Sequence, residues 1–401
     1  MNNGKSVRPL MNLNGAMSEN FADTVLLMLL QTSFCGTPFE YDRTIDWNTV
    51  FEKAKRQSVI ALAERGLPKT LSETQLSIWK KACYMQFANY IRYLNAQDFL
   101  CNIFKQNNIP MVIIKGAAAA FYYPKPYLRR MGDIDFIVPN TYLPEAQIIM
   151  QNAGFQYKSS GGGRHIAYKR AGFEFELHYC FSYPDLDIEK QIADGFQNLK
   201  QTQLDGHGFP MFPALVNGLI LLAHIREHLR CGLGLRQVID WRMFVERELN
   251  DEVWNNTFGI LVKEKGLDTL AITLTRLCQI YLGLPATMTW CSDADDKLCK
   301  QLMKLLLSMG NFGNQKRTES LVSGVITNIR KEGLFSYMQR IGERDWKLYH
   351  RHRWLKPFAW LRETVVFSRK VLKIKLNKKQ FSSSLQYNKD NYELLKKLNL
   401  L

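Results

Sequence analysis

Gly132-Asp-Ile-Asp-Phe-Ile-Val-Pro139 sets two carboxylates two residues apart in a run that alternates polar and apolar residues. Side chains at i and i+2 of a strand share a face, so Asp133 and Asp135 point the same way. Two neighbouring carboxylates repel unless a cation or a shared proton lies between them. Ile134, Phe136 and Val138 mark the opposite face as buried. A plain structural strand gains nothing from such an arrangement, and this restricts what the surrounding fold can be.

A second strand repeats the device about 40 residues later. In Gly172-Phe-Glu-Phe-Glu-Leu-His-Tyr179, Glu174, Glu176 and His178 share one face, and Phe173, Phe175 and Leu177 share the other. Acids converging from two strands make an oxygen-rich site suited to Mg²⁺ or Mn²⁺. Two such ions can clamp the attacking and leaving oxygens of a phosphoryl or nucleotidyl transfer.

The preceding segment suits a phosphate. Pro110-Met-Val-Ile-Ile-Lys-Gly116 reads as a strand ending in glycine, and a short helix opens at Ala117. A helix start offers free N–H groups to an anion. Arg129 and Arg130, just before the acids, can reach a triphosphate as bidentate donors.

The rest of the chain is mainly helical. Apolar residues recur at helical spacing between 20 and 108, with Ser72-x-x-Gln75 as a helix-start signal. Helices return from Pro213 over 215–230, 236–248, 252–283 and 293–309. The spacing predicts a flexible leader (1–19), an N-terminal helical region (20–108), an α/β core (109–212), a C-terminal helical domain (213–335) and a basic, aromatic helical tail (336–401).

Composition excludes some classes. The longest apolar runs fall short of the roughly 20 residues of a membrane-spanning helix, and Met1-Asn-Asn-Gly-Lys lacks a secretory h-region. Eight cysteines without any C-x-x-C read as reduced thiols and exclude a zinc ribbon. The expected compartment is the cytoplasm, with the inner membrane face as a second docking place.

The net charge of +16 is unevenly spread. Arg344–Lys379 holds twelve Lys/Arg against Asp345 and Glu363. That stretch reads first as a solvated basic face, then as a contact for an anionic membrane surface, then for nucleic acid. No segment reads as the surface of an obligate protein partner.

Ile114-Lys-Gly-Ala-Ala, Tyr123-Pro-x-Pro-x-x-Arg129-x-Met-Gly-Asp133-Ile-Asp135 and Phe175-Glu176-Leu-His178 resemble the uncharacterised bacterial nucleotidyltransferases of the polymerase-β-like superfamily. His224, His228 and Gly234-Leu-Arg236-Gln-Val-Ile-Asp240 resemble that family's helical part. The likeness runs from about residue 45 to about 250. It implies an α+β fold, in which a small mixed β-sheet nucleotidyltransferase core is flanked by N-terminal and C-terminal helical regions.

The resemblance also implies a chemistry. An NMP moves from an NTP to an acceptor hydroxyl or phosphate, and pyrophosphate leaves. Asp133, Asp135 and Glu176 would hold Mg²⁺ or Mn²⁺, with Glu176 as base. Lys115, Gly116, Ala117 and Arg129 would lie on the nucleotide phosphate side. Glu174, His178, His224, His228 and Arg236 would line the pocket. The resemblance associates members with sugars and surface polysaccharides, so a sugar, glycolipid precursor or other small acceptor is expected. The alternatives are a toxin-like enzyme modifying RNA or protein, and an inactive nucleotide-binding scaffold. One departure is Ala117, where the superfamily usually carries serine or glycine.

Other patterns compete. His224-Ile-Arg-Glu227-His228 spells the inverted zinc-protease signature, but a zinc protease needs a third ligand on a following helix and has no need of the Asp133 constellation. Arg236 and Asp240 are spaced for an i,i+4 ion pair. Ser159–Gly163, ahead of Arg164 and His165, reads as a hairpin tip, with a loop closing over substrate as the alternative.

Overall fold

The computed structural model describes residues 21–36, 44–161, 164–181, 186–229, 232–310, 333–346, 352–373 and 392–400. The leader, Gly162–Gly163 and much of the basic tail lie outside these residues.

Helices α1 (Phe21–Cys35), α2 (Trp47–Arg56), α3 (Ile60–Glu64) and α4 (Glu73–Gln106) come first. Asp46 caps α2 by accepting from the Asn48 and Thr49 N–H groups. Ser72 caps α4 by accepting from the Gln75 N–H at 3.4 Å, as the Ser72-x-x-Gln75 spacing predicts. Along α4, Tyr90, Tyr93, Leu94, Leu100 and Phe104 are buried in the core it shares with the sheet.

The sheet contains β1 (Val112–Ile113), β2 (Ile134–Ile137), β3 (Gln156–Gly161), β4 (His165–Arg170) and β5 (Phe173–His178), in the order β1-β2-β5-β4-β3. Helices α5 (Gly116–Ala120) and α6 (Leu143–Asn152) fall between its early strands. Only β2 and β5 pair in parallel, and the rest of the sheet is antiparallel. The mixed sheet of the expected α+β architecture is therefore present. Its apolar face is a dense aromatic core, in which Phe136 meets Phe104 edge-on at 5.5 Å and Phe175 meets Phe155 at 4.8 Å. Edge-to-face rings match the positive edge of one to the negative face of the other.

Helix α7 (Glu189–Phe196) leads to a hairpin of β6 (Lys200–Leu204) and β7 (His207–Met211). The Tyr90 hydroxyl on α4 donates to Asp205 at the hairpin turn (2.7 Å). Next come α8 (Ala214–His228), α9 (Leu235–Glu248), α10 (Asp251–Val253), a π turn at Trp254–Phe258, α11 (Gly259–Glu264), α12 (Asp268–Tyr281) and α13 (Asp296–Met309). Buried Gln57, just past α2, ties distant parts together. Its amide donates to Leu306 O (3.0 Å) and accepts from the Leu235 N–H (2.8 Å).

The chain divides into two compact units, residues 1–225 with 234–311, and residues 226–233 with 312–401. In the second, helices Leu334–Asp345 and Ala359–Lys373 pack around Tyr337, Met338, Ile341 and Trp360. A Cβ at Gly342 would lie 2.1 Å from Ala359 O, so glycine allows this close approach. Among the described residues, no helix is long and apolar enough to cross a membrane. The seven cysteines described are free thiols.

Candidate metal centre

Strand register builds the site. In the parallel pairing of β2 with β5, Asp135 lies opposite Glu176. On β5 the buried residues Phe173, Phe175 and Leu177 alternate with Glu174 and Glu176, which stay partly open. The core therefore fixes which face the acids take. On β4, Ala167 lies opposite Glu176, and His165 opposite His178.

Among the described residues, ligand atoms of Asp135, Glu176 and His178 lie within 4.8 Å of one another. His178 Nε2 is 2.9 Å from Asp135 Oδ1 and 3.4 Å from Glu176 Oε2. His165 Nε2 approaches Glu176 Oε1 from the other side, at 3.8 Å. Two carboxylates and an imidazole form a hard, mostly oxygen donor set that suits Mn²⁺ or Mg²⁺.

Lys115 reaches into this cluster. Its ammonium is 2.8 Å from Asp135 Oδ1 and 3.4 Å from His178 Nε2. Burial alone would raise the Asp135 pKa, but Lys115 and the His178 hydrogen bond outweigh it and hold the carboxyl well below its usual range. The Lys115 ammonium thus already supplies positive charge to the cluster. Lys115 has a backbone φ of +54°, uncommon for a residue with a side chain. Such strain persists where the surroundings over-determine it, often at functional sites.

Asp133 stands just before β2, outside the three-residue group, with its side chain exposed at the rim. Burial around its carboxyl, then repulsion from Asp135, Glu176 and Glu174, pushes its pKa up to about 6, with Arg236 partly opposing. Glu174 has its own partner, the Lys158 ammonium at 2.6 Å. Glu174 is therefore satisfied locally, and Glu176 is the acid facing Asp135.

Other expected residues sit differently. Arg129 is buried and engages Asp240 through Nε–Oδ1 and Nη2–Oδ2 contacts of 2.8 Å each. Tyr123 donates to the same carboxylate at 2.8 Å. This corrects the reading of Arg129 as a phosphate donor, because its guanidinium already serves a buried acid. It also corrects the expected Arg236–Asp240 pair. Arg236 instead donates to Arg130 O (3.2 Å), and its Nε has no hydrogen-bond partner among the described residues. Burial lowers the Arg236 pKa to about 10.

Gly116 and Ala117 are buried at the start of the five-residue α5. A Cβ on Gly116 would lie 2.1 Å from the Tyr93 hydroxyl. Packing against Tyr93 thus requires glycine here, whether or not a phosphate approaches. His224 and His228 lie on α8, half-buried and each with a partner. Neither enters the metal-ligand group found among the described residues, so the zinc-protease pattern gains no third ligand there. His165 was read as a hairpin-tip residue. The β4–β5 register, which sets it opposite His178, places it on the acidic face.

The profile of a family described as "Uncharacterised nucleotidyltransferase" matches residues 43–283, more than half of the chain. Among solved structures, an antigenic nucleotidyltransferase-like protein from Paracoccidioides brasiliensis is a distant likeness. It shares 18% identity and a TM-score of 0.28, over 44% of this chain and 90% of that one. No curated protein matches the chain.

Proposed function

The chain belongs to this family of uncharacterised nucleotidyltransferases, and from that premise we propose that it transfers an NMP from an NTP to a small acceptor, such as a sugar or glycolipid precursor. The observation that carries the reading is the register that sets Asp135 opposite Glu176, with His178 and Lys115 completing the cluster.

Asp135, Glu176 and His178 would hold a divalent cation, with Asp133 able to join from the rim. The ion, Mg²⁺ or Mn²⁺, would supply charge stabilisation for the transferring phosphoryl group. The chain's own groups do the rest. The acceptor oxygen attacks the α-phosphorus, the O–P bond forms, and the α–β anhydride bond breaks to release pyrophosphate. Glu176 takes the acceptor's proton, and the His165 imidazole lies 3.8 Å from its carboxylate. Burial holds the pKa of His165 below the usual imidazole range, with Glu176 partly opposing. Lys115 balances the carboxylates before substrate arrives and then offers its ammonium to the triphosphate.

The test supplies Mg²⁺ and each α-labelled NTP to the full chain with cell extract fractionated into small molecules, lipids, RNA and protein. Label is expected in the small-molecule or lipid fraction, and Asp135→Asn should reduce it at least ~10³-fold. Label confined to RNA or protein would reject the small-acceptor reading. Transfer that survives Asp135→Asn would remove this cluster from the chemistry.

A further inference from the structure

A groove of about 950 Å³ opens beside Asp133, within the first unit. It is lined by the strand residues Lys169 and Glu174, by Arg130 and Asp133 just ahead of β2, and by Phe51 and Met85 from α2 and α4. Its lining includes no residue of β1 or α5. It therefore runs from Asp133 to the Phe173–Glu174 end of β5 and the Lys169–Arg170 end of β4, and neither Lys115 nor Gly116 lines it. A nucleotide with its phosphates on the Lys115 side would leave this groove for the second substrate.

The groove's charge identifies that substrate's chemistry. Four cations line it (Lys55, Arg130, Lys169 and Arg170) against two acids, Asp133 and Glu174. Glu174 is already neutralised by Lys158. Arg170 is committed, stacked 3.5 Å over the Phe99 ring and donating to Ala153 O. Lys55 lies 3.3 Å from Glu52. Arg130 and Lys169 are exposed and have no ion pair among the described residues, so the groove keeps two cations for a ligand. Its opposite side sets Phe51, Ile60, Ala82 and Met85 beside the polar Lys55, Gln86 and Asn89. Phe51 is held edge-on against buried Trp79 at 5.1 Å, and Met85 is 67% exposed. A volume of this order suits a ligand larger than a single sugar ring.

We propose that this groove binds the acceptor, and that the acceptor is a phosphate monoester carrying an apolar segment. Arg130 and Lys169 take the phosphate, Phe51 and Met85 cover the apolar segment, and a hydroxyl of the same molecule is presented at the Asp133 end as the reacting oxygen. The inference rests on the nucleotidyl-transfer reading and names the substrate class of the same site.

The experiment uses hexyl phosphate, hexan-1-ol and inorganic phosphate as probes. Each is titrated by calorimetry into the full chain already saturated with Mn²⁺ and a non-hydrolysable NTP analogue, so that the nucleotide site is filled. Hexyl phosphate should bind at least about tenfold more tightly than either fragment, because both halves of the groove engage it. The double variant Arg130→Gln/Lys169→Gln should lose at least about tenfold for hexyl phosphate, with NTP-analogue affinity and melting temperature unchanged. Met85→Ser should weaken hexyl phosphate but not inorganic phosphate.

Hexyl phosphate binding that is unmoved by the double variant, or no tighter than hexanol, would overturn the proposal. So would loss of NTP-analogue affinity in the double variant, which would assign these cations to the nucleotide. If the wild type shows no Mn²⁺-dependent NTP-analogue binding, the transfer reading itself fails. Normal analogue binding with indifference to hexyl phosphate rejects the groove assignment alone.

Discussion

The Lys115 ammonium lies 2.8 Å from Asp135 Oδ1, between a strained backbone and a carboxylate cluster. The sequence places Lys115 at a strand end and Asp135 twenty residues on. The antiparallel pairing of β1 with β2 brings them together. Lys115→Met should destabilise the EDTA-treated protein by about 3 kcal/mol in urea unfolding, since it leaves a buried carboxylate short of its counter-charge. Added Mn²⁺ should recover part of that loss. Unchanged stability would mean that the ammonium does not neutralise the cluster.

Backbone strain at Lys115 has its own signature. Lys115→Ala and Lys115→Gly both remove the ammonium, but only glycine adopts φ +54° without steric cost. The glycine variant should be the more stable by about 1 kcal/mol or more. Equal urea midpoints would show that the strain is absent in solution.

Asp133 links stability to pH. Its carboxyl titrates near 6 in the folded chain and near 3.9 when unfolded. The folded state therefore favours the protonated form, and stability declines as pH rises from about 4 through 6. Asp133→Asn should stabilise the EDTA-treated protein at pH 8 by about 1 kcal/mol, after solvent screening at this exposed position is allowed for. The gain should vanish below pH 4. A gain that grows toward acid pH would have the wrong sign.

Asp240 is a structural anchor. It accepts from Arg129 and Tyr123 in the core, so Asp240→Asn should cost about 3–5 kcal/mol in unfolding experiments. A folded, fully stable variant with weakened NTP binding would return Arg129 to the phosphate role.

Gly116→Ala should destabilise by about 2 kcal/mol, because its Cβ meets the Tyr93 hydroxyl. Tyr93→Phe in the same chain should recover at least half, measured as a double-mutant cycle. Strictly additive effects would place the clash elsewhere.

Local patterns made much of this legible. The alternation in 132–139 and 172–179 gave both acidic strands, and Ser72 with Gln75 gave the start of α4. Pairings across long stretches of chain were not legible, because periodicity names a strand's faces but not its neighbour or register. The i,i+4 spacing of Arg236 and Asp240 is a weak local preference. It yields to the buried two-point contact from Arg129, 111 residues away. His178 looked like a pocket residue until β5 was seen beside β2, and His165 became visible only when β4 closed on β5. Gly116 looked like a phosphate-loop glycine, and nothing near it in sequence announced Tyr93.

The central claim is that β2 and β5 together hold a divalent cation. Mn²⁺ binding, followed by electron paramagnetic resonance at pH 7.5, compares the wild type with Asp135→Asn, Glu176→Gln and His178→Ala. Each variant should weaken Mn²⁺ at least about tenfold while staying folded, as a lost ligand would. Wild-type protein that fails to bind Mn²⁺ with NTP present, or variants that bind it as well as the wild type, would contradict the account.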